Sequence, residues 1–294
     1  MTYQNKGSRD QTPPLASSVQ ILKSVDNGRN EMAEKANEAL LNAAINGSVE
    51  GAEAALKAGA DIDFKHAENE NHGTTLYLAS LAGHVDIVRL LLRKGASMVE
   101  RTGSMAPLHA AALNGRTEVA ELLVQHGATL DIRDGFQNTP LMYACACQRV
   151  DLVRRLLELG ARPDFHDCFV VQKLRSLGGN PDSDEGFQLV KEARKSKLLR
   201  CCNPKCGKPG YRKTGTLKLC GRCKLTRYCS RDCQKQHWSV GHEKCCGHDA
   251  YTGERAEFFQ HWNFFITNHV QEHGFKASKQ LLQRSDMMAT FLNL

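Results

Sequence analysis

Residues 106–128 read Ala106-Pro-Leu108-His109-Ala-Ala111-Ala-Leu-Asn-Gly115-Arg-Thr-Glu-Val-Ala-Glu-Leu122-Leu123-Val-Gln-His-Gly127-Ala128. Proline two residues into the stretch suits the first turn of a helix, where its missing N–H costs nothing. Leu108 and Ala111 then fall on one face, and Gly115 permits the left-handed residue that closes the helix. A second apolar run ends at Gly127-Ala128. The stretch therefore predicts two short helices back to back.

The same signature recurs. Leu-x-x-Ala-x-x-x-Gly appears as Leu40/Ala43/Gly47, Leu76/Ala79/Gly83 and Leu108/Ala111/Gly115, and as Leu141/Ala144/Gln148 without its glycine. Gly59-Ala60, Gly95-Ala96, Gly127-Ala128 and Gly160-Ala161 close each unit. The anchor leucines lie 36, 32 and 33 residues apart, and a period near 33 predicts stacked helix pairs, none of which can bury its apolar face alone. Ile87, Val88, Leu90, Leu91, Leu122, Leu123, Val153, Leu156 and Leu157 read as the apolar faces of the second helices.

These units resemble ankyrin repeats over residues 31–168, about four copies. The family's Thr-Pro-Leu-His opening survives as Thr74-Thr-Leu76-Tyr77, Ala106-Pro-Leu108-His109 and Thr139-Pro-Leu141-Met142, with threonine expected to cap each first helix. The first unit, with an insertion around Glu68–His72, reads as a terminal cap. Turn tips and inner helices are the binding positions that the resemblance implies. The candidates are Arg101, Arg133, Phe136, Tyr77 and His109, with Met105 and Tyr143 nearby. His109 also reads as a hydrogen-bonded histidine of the motif, and Phe136 as a residue buried against the next tip.

Downstream, Cys201, Cys206, Cys220, Cys223, Cys229, Cys233, His242 and Cys246 follow the pattern C-x4-C-x13-C-x2-C-x5-C-x3-C-x8-H-x3-C. Eight soft ligands make two sets of four, the complement of two closed structural zinc sites, with no open position for a reacting water. Spacing alone permits several pairings. Among the 12 cysteines, Cys202 competes with Cys201 for the first ligand position and Cys245 with Cys246 for the last. Cys145 and Cys147 read as small helix residues.

With Tyr228, Gln234, Trp238 and Gly241-His242 between the ligands, residues 199–246 resemble a MYND zinc finger. The resemblance implies a cross-braced pair of zinc ions. Cys201, Cys206, Cys229 and Cys233 would share one ion, and Cys220, Cys223, His242 and Cys246 the other. It also implies a reader of short proline-containing peptides, with Gln234 and Trp238 as contact residues and Tyr228 and Ser230 beside them. Trp238 reads equally as core of a small domain.

Charge is uneven. Residues 187–246 hold 16 Lys or Arg against 3 Asp or Glu, while the whole chain of 294 residues carries +7. Such a basic module suits an acidic or nucleic-acid partner, or else offsets the negative charge of metal-bound thiolates. Residues 1–30, polar with Pro13-Pro14, read as a disordered tail. Residues 169–198 read as a linker with a basic helix from Phe187 to Leu199, and residues 247–294 as a helical tail with Phe258, Trp262 and Phe265 on one stripe. The opening Met1–Lys6 lacks the apolar core of a secretory signal, and no stretch approaches 18 apolar residues, so the expectation is an intracellular protein of cytoplasm or nucleus that makes no membrane contact.

The expected fold is mostly α: a helical solenoid, a small two-zinc finger and a helical tail. No Ser/His/Asp set, phosphate loop or catalytic carboxylate pair is visible. The 48 residues after the finger leave no room for a methyltransferase domain of the kind that accompanies some MYND fingers. The function expected is a non-catalytic protein–protein adaptor. The competing readings are a nucleic-acid- or chromatin-associated regulator working through the basic region, and a ubiquitin-ligase-like zinc module. Histidine in seventh place among the ligands argues against the latter.

Overall fold

The structure, a computed structural model, describes residues 15–65, 74–99, 105–135, 137–164, 184–196, 198–211 and 215–247. It is mostly helical. Four antiparallel helix pairs stack in order: α1 (Leu15–Asn46) with α2 (Val49–Lys57), α3 (Thr75–Ala82) with α4 (Val85–Lys94), α5 (Pro107–Leu113) with α6 (Thr117–Gln125), and α7 (Pro140–Ala146) with α8 (Val150–Leu159). One contiguous apolar core runs between them, from Leu41 and Leu76 through Leu108 and Leu123 to Leu141 and Leu156, all nearly inaccessible to solvent. Of the period-33 residues, Leu76, Ala79, Leu108, Ala111, Leu141 and Ala144 face it, while Leu40 and Ala43 join Ala52, Ala55 and Leu90 in a second cluster.

The glycine that ends each inner helix does two jobs. Gly47, Gly83 and Gly115 adopt φ of +81°, +92° and +69°, a region that side chains disfavour. The following repeat also lies on top of them: a Cβ on Gly83 would sit 2.6 Å from Arg116 Cδ, and one on Gly115 2.7 Å from Arg149 Cδ. Those arginines form a ladder. Arg116 Nε donates to the Leu81 carbonyl at 3.3 Å and Arg149 Nε to Leu113 at 3.2 Å, while the ring Nε2 of His84 meets the Ile45 carbonyl at 2.9 Å. Each repeat thus satisfies a helix-end carbonyl of the one before it. Gln148, which replaces the fourth glycine, takes φ +57° all the same, and its side chain is anchored to Asp184.

Capping follows the sequence reading only in part. Thr74 accepts from the Tyr77 amide at 3.2 Å, but Thr139 makes no side-chain cap bond and Ala106 has no polar atom to offer. In the third repeat His109 substitutes: its Nδ1 accepts from the Ala106 amide at 3.1 Å.

Three boundaries differ from the sequence reading. Helix α1 begins at Leu15, so residues 15–30 are helical rather than a disordered tail; Pro13-Pro14 sits immediately before it, and no proline interrupts the run to Asn46. Helix α9 (Glu185–Ser196), read from sequence as the basic helix of the linker from Phe187 to Leu199, leads into the finger but also packs on the array. It lies on α7 and α8 with Val190 fully buried and Phe187 against the main core, which makes it the cap of the array. Leu198 and Leu199 belong to strand β1 (Leu198–Arg200), which pairs antiparallel with β2 (Pro209–Tyr211). The insertion around Glu68–His72, most of the 169–198 linker and nearly all of the 247–294 tail lie outside the described residues.

The finger itself adds a second hairpin, β3 (Lys218–Leu219) with β4 (Arg227–Tyr228), in register Lys218 to Tyr228. Helix α10 (Arg231–His237), a π-helical turn (Trp238–His242) and a last turn α11 (Glu243–Cys245) complete it. Its core is small: Cys201, Cys202, Cys220, Tyr228 and Cys246, with Leu217 and Trp238 packed alongside. No helix of the described residues is long and apolar enough to cross a membrane.

Candidate metal centre

Each ligand pair sits on a turn that local physics explains. Cys201 leaves β1 and Cys206 closes a loop whose amides bond back to Asn203 at 2.9 Å. Cys220 and Cys223 flank the turn after β3, held by the Lys224 amide on the Cys220 carbonyl at 3.0 Å. Cys229 follows β4 and Cys233 lies in the first turn of α10, where Ser230 is the N-cap and its hydroxyl accepts from the Cys233 amide at 3.1 Å. His242 and Cys246 are joined by the Cys246 amide donating to the His242 carbonyl at 2.7 Å.

These turns bring eight donor atoms into two tetrads. Cys201, Cys206, Cys229 and Cys233 form one; Cys220, Cys223, His242 and Cys246 form the other, with the donor atoms of each within 4.8 Å of one another. Cys206 and Cys229 sulfurs lie 3.6 Å apart, Cys229 and Cys233 3.5 Å, Cys220 and Cys246 3.7 Å, and Cys223 Sγ lies 3.7 Å from His242 Nε2. A tetrahedral zinc at about 2.3 Å from each sulfur separates two sulfurs by about 3.8 Å. Both tetrads therefore fit that ion. The first and third pairs meet in one tetrad, the second and fourth in the other.

The ligand thiols are shifted in both directions. Burial, then the Cys220 sulfur, push the Cys246 thiol up to about 12, and burial likewise raises Cys201. A cation at each centre would favour the thiolate form of both. Cys233 runs the other way, held down to about 7 chiefly by the Ser230 hydroxyl. The second tetrad is the more enclosed, with Cys220, His242 and Cys246 all buried. One outer contact orients a ligand, with Gln234 Nε2 donating to Cys220 Sγ at 3.8 Å, while Thr226 Oγ1 lies 3.3 Å from His242 Nε2, the nitrogen that also faces Cys223. Behind them the buried Tyr228 hydroxyl bonds His237 Nδ1 at 2.9 Å, and burial, then His242, hold the His237 imidazole neutral, down to about 3.

Cys202 and Cys245, the alternative ligands, point elsewhere. Cys202 Sγ accepts the Arg227 amide at 3.3 Å. Cys245 lines a small gap against Met98, Leu108, Leu123, Ala128 and Ile132 of the repeats. Cys202→Ser and Cys245→Ser are therefore expected to keep the full metal complement, while Cys201→Ser and Cys246→Ser each lose one ion by elemental analysis. Loss of zinc from Cys202→Ser alone would reverse the assignment.

Several expected surface residues are not at the surface. Tyr228 is 2% exposed and cannot contact a peptide; the short β4 turns it into the finger's core. Tyr77 is 3% exposed, its hydroxyl reaching the Met105 sulfur. His109 is 0% exposed because both ring nitrogens are used: Nδ1 inside its own repeat, Nε2 on the Asn138 carbonyl at 3.2 Å. Met105 and Tyr143 are buried too, Tyr143 donating to Asp134 at 2.7 Å. Arg133 is exposed at its tip, donating to Gln137 at 3.1 Å. Gln234 and Trp238 are half-buried and Ser230 is exposed. Arg101 and Phe136 lie outside the described residues. Sequence reasoning missed Asp131, Arg227 and Arg162, which meet between array and finger; single charged residues carry no local pattern that would mark them.

Comparison with known proteins finds two family matches. The family described as ankyrin repeats (3 copies) matches residues 15–102 and 98–167, and the one described as MYND finger matches residues 191–246. Among curated proteins, ubiquitin carboxyl-terminal hydrolase 17 of Arabidopsis thaliana is 42% identical over 45 residues, which is 15% of this chain and 6% of that protein. So small a share of the relative leaves the hydrolase named in its title as a property of that protein.

Proposed function

Because the chain belongs to the ankyrin-repeat family and carries a MYND finger, we propose that it is a non-catalytic adaptor that holds two structural zinc ions and reads short proline-containing peptides with the finger. The observation that carries the zinc reading is the pair of four-donor clusters at tetrahedral spacing. Closed sites with no open coordination position build a surface rather than activate water.

The peptide reading rests on what the finger leaves uncovered. Trp238 packs edge-on to His242 with ring centroids 5.9 Å apart and keeps part of its indole accessible. Strand β3 is the outer strand of a two-stranded sheet with both residues exposed, and Leu219 is 49% accessible. An extended segment could add to such an edge through backbone hydrogen bonds, and proline, whose φ is already set, loses little entropy on docking. Trp238 supplies the apolar face that a proline or leucine would meet.

The test is calorimetric titration of proline–leucine peptides into the zinc-loaded chain and into Trp238→Ala and Leu219→Ser, with zinc content measured on each sample. Binding by wild type, and its loss by about tenfold or more in either variant at unchanged zinc content, supports the reading. Absence of binding to wild type sinks it. Gln234→Ala is less clean, because its amide also touches Cys220.

A further inference from the structure

The finger does not hang from the array. It is seated on the tips of the third and fourth repeats, and the contact has three parts. At its centre two glycines meet backbone to backbone: a Cβ on Gly127, at the end of α6, would lie 2.5 Å from Gly241 C and His242 N. A Cβ on Gly241, whose φ is +141°, would overlap the His126 carbonyl oxygen. Neither position tolerates any side chain.

Beside it lies a buried ionic cluster. Arg227 Nη2 of the finger is 3.6 Å from Asp131 Oδ2 of the third repeat, with both side chains only 5% exposed, and also donates to the Gly160 carbonyl at 3.2 Å. Asp131 is shared: its Oδ1 accepts the Arg162 amide at 2.7 Å and its Oδ2 lies 3.6 Å from Arg162 Nε. Arg162 in turn reaches the Lys224 carbonyl of the finger at 3.4 Å. A charge pair removed from water this fully is costly unless it is matched, so each half selects for the other. The third part is apolar: Cys245 sits over Met98, Leu123 and Ile132.

We propose that the third and fourth repeat tips are a docking surface for the finger of the same chain, and that the metal tetrads fix the residues that dock. The contact points are neighbours of the ligands. Gly241 precedes His242, Cys245 precedes Cys246, and Arg227 lies two residues before Cys229. Filling the tetrads holds these residues in the shape that meets the repeats, and docking in turn holds the tetrads closed. The part of those tips around Gly127, Asp131 and Gly160 is therefore occupied from within the chain, while Arg133 stays exposed, and the finger presents a fixed face to a partner. The inference stands independently of the peptide reading.

A matched pair of glycines tests it without altering the finger. Gly95 and Gly127 close equivalent outer helices with φ +94° and +100°, so alanine brings the same backbone strain to both. Nothing lies within 4 Å of a Cβ on Gly95. The readouts, on the zinc-loaded full chain, are hydrogen exchange of the amides of residues 241–246 and the rate of zinc transfer to a chromogenic chelator. Gly127→Ala is expected to raise both by about tenfold or more, and Gly95→Ala to leave both within about twofold of wild type. Asp131→Asn, which leaves Arg227 buried without its charge partner, is expected to behave like Gly127→Ala and replaces it if that variant does not fold. Equal finger exchange in Gly95→Ala and Gly127→Ala, or wild-type exchange in Asp131→Asn, overturns the proposal.

Discussion

Stripping zinc with a strong chelator is expected to unfold residues 198–247 and to loosen the third and fourth repeats while the first two stay intact. The finger's interior explains the first half: its buried core is mostly ligand cysteines, with Tyr228 as the one large fully buried side chain. So little apolar area cannot offset the entropy of ordering about fifty residues. Structural zinc supplies roughly 10–16 kcal/mol of folding free energy in comparable modules, which is the whole of their stability. The second half follows from the seat. Once Arg227 and Gly241 lose their fixed positions, Asp131 keeps only Arg162, and the apolar patch around Ile132 meets water. Among the described residues Met98, after α4, is the one of the first two repeats seen against the finger, and a repeat stack transmits stability mainly between neighbours. The measurement is metal stoichiometry together with segment-resolved hydrogen exchange before and after chelation. Two ions per chain, fast exchange across 198–247 and a small loss of helix signal are the expected result. A stoichiometry near one, or collapse of the first two repeats, contradicts it.

Leu123→Ala is expected to cost about 3 kcal/mol, within the range of roughly 2–5 for emptying a fully buried leucine site. Leu123 on α6 is 0% exposed and belongs to the continuous core. The stack around it is pinned by the Arg116 and Arg149 ladder, so it cannot collapse into the space left behind. For an array of this length that loss lowers the melting temperature by roughly 6–12 °C. Leu219→Ala is the contrast: with that leucine 49% exposed on the finger's edge strand, it should shift stability by no more than about 0.5 kcal/mol. Urea denaturation followed by circular dichroism measures both. A Leu123→Ala midpoint that matches Leu219→Ala would show that the third repeat is not packed as described.

Much of the array was legible because its signals are local. Leu-x-x-Ala on one helical face, a glycine where the backbone turns left-handed and proline at the helix start depend on residues within one turn of each other. Structure and sequence agree on the units for that reason. Disagreement arises where a residue's role depends on the next repeat. His109 fits the motif of an inner helix, yet only the Asn138 carbonyl 29 residues later shows why it is wholly enclosed. Tyr77 and Tyr143 read as candidates for a partner because aromatic groups on inner helices suit one; each instead anchors its hydroxyl inside the stack. Helix α9 read from sequence as a basic linker helix leading to the finger; Val190 and Phe187, on its apolar side, are what place it on the last repeat.

By itself the sequence determined the repeat period, the helix pairs, the eight candidate ligands and their number of sites, since each is a matter of spacing along the chain and of what a side chain can donate. Spacing alone left the pairing of the cysteines open; the family resemblance implied the two tetrads that the structure shows, and only the tertiary structure decided that Cys202 and Cys245 face away from both and that the finger rests on Gly127 and Asp131. The reason is physical: a thiolate has the same chemistry in any pairing, and a glycine reads the same whether it faces water or another backbone. What distinguishes these cases is the approach of segments distant in the chain, such as Cys206 and Cys229, 23 residues apart, or Gly127 and Gly241, and that is set by packing and by buried charge, which no local pattern records.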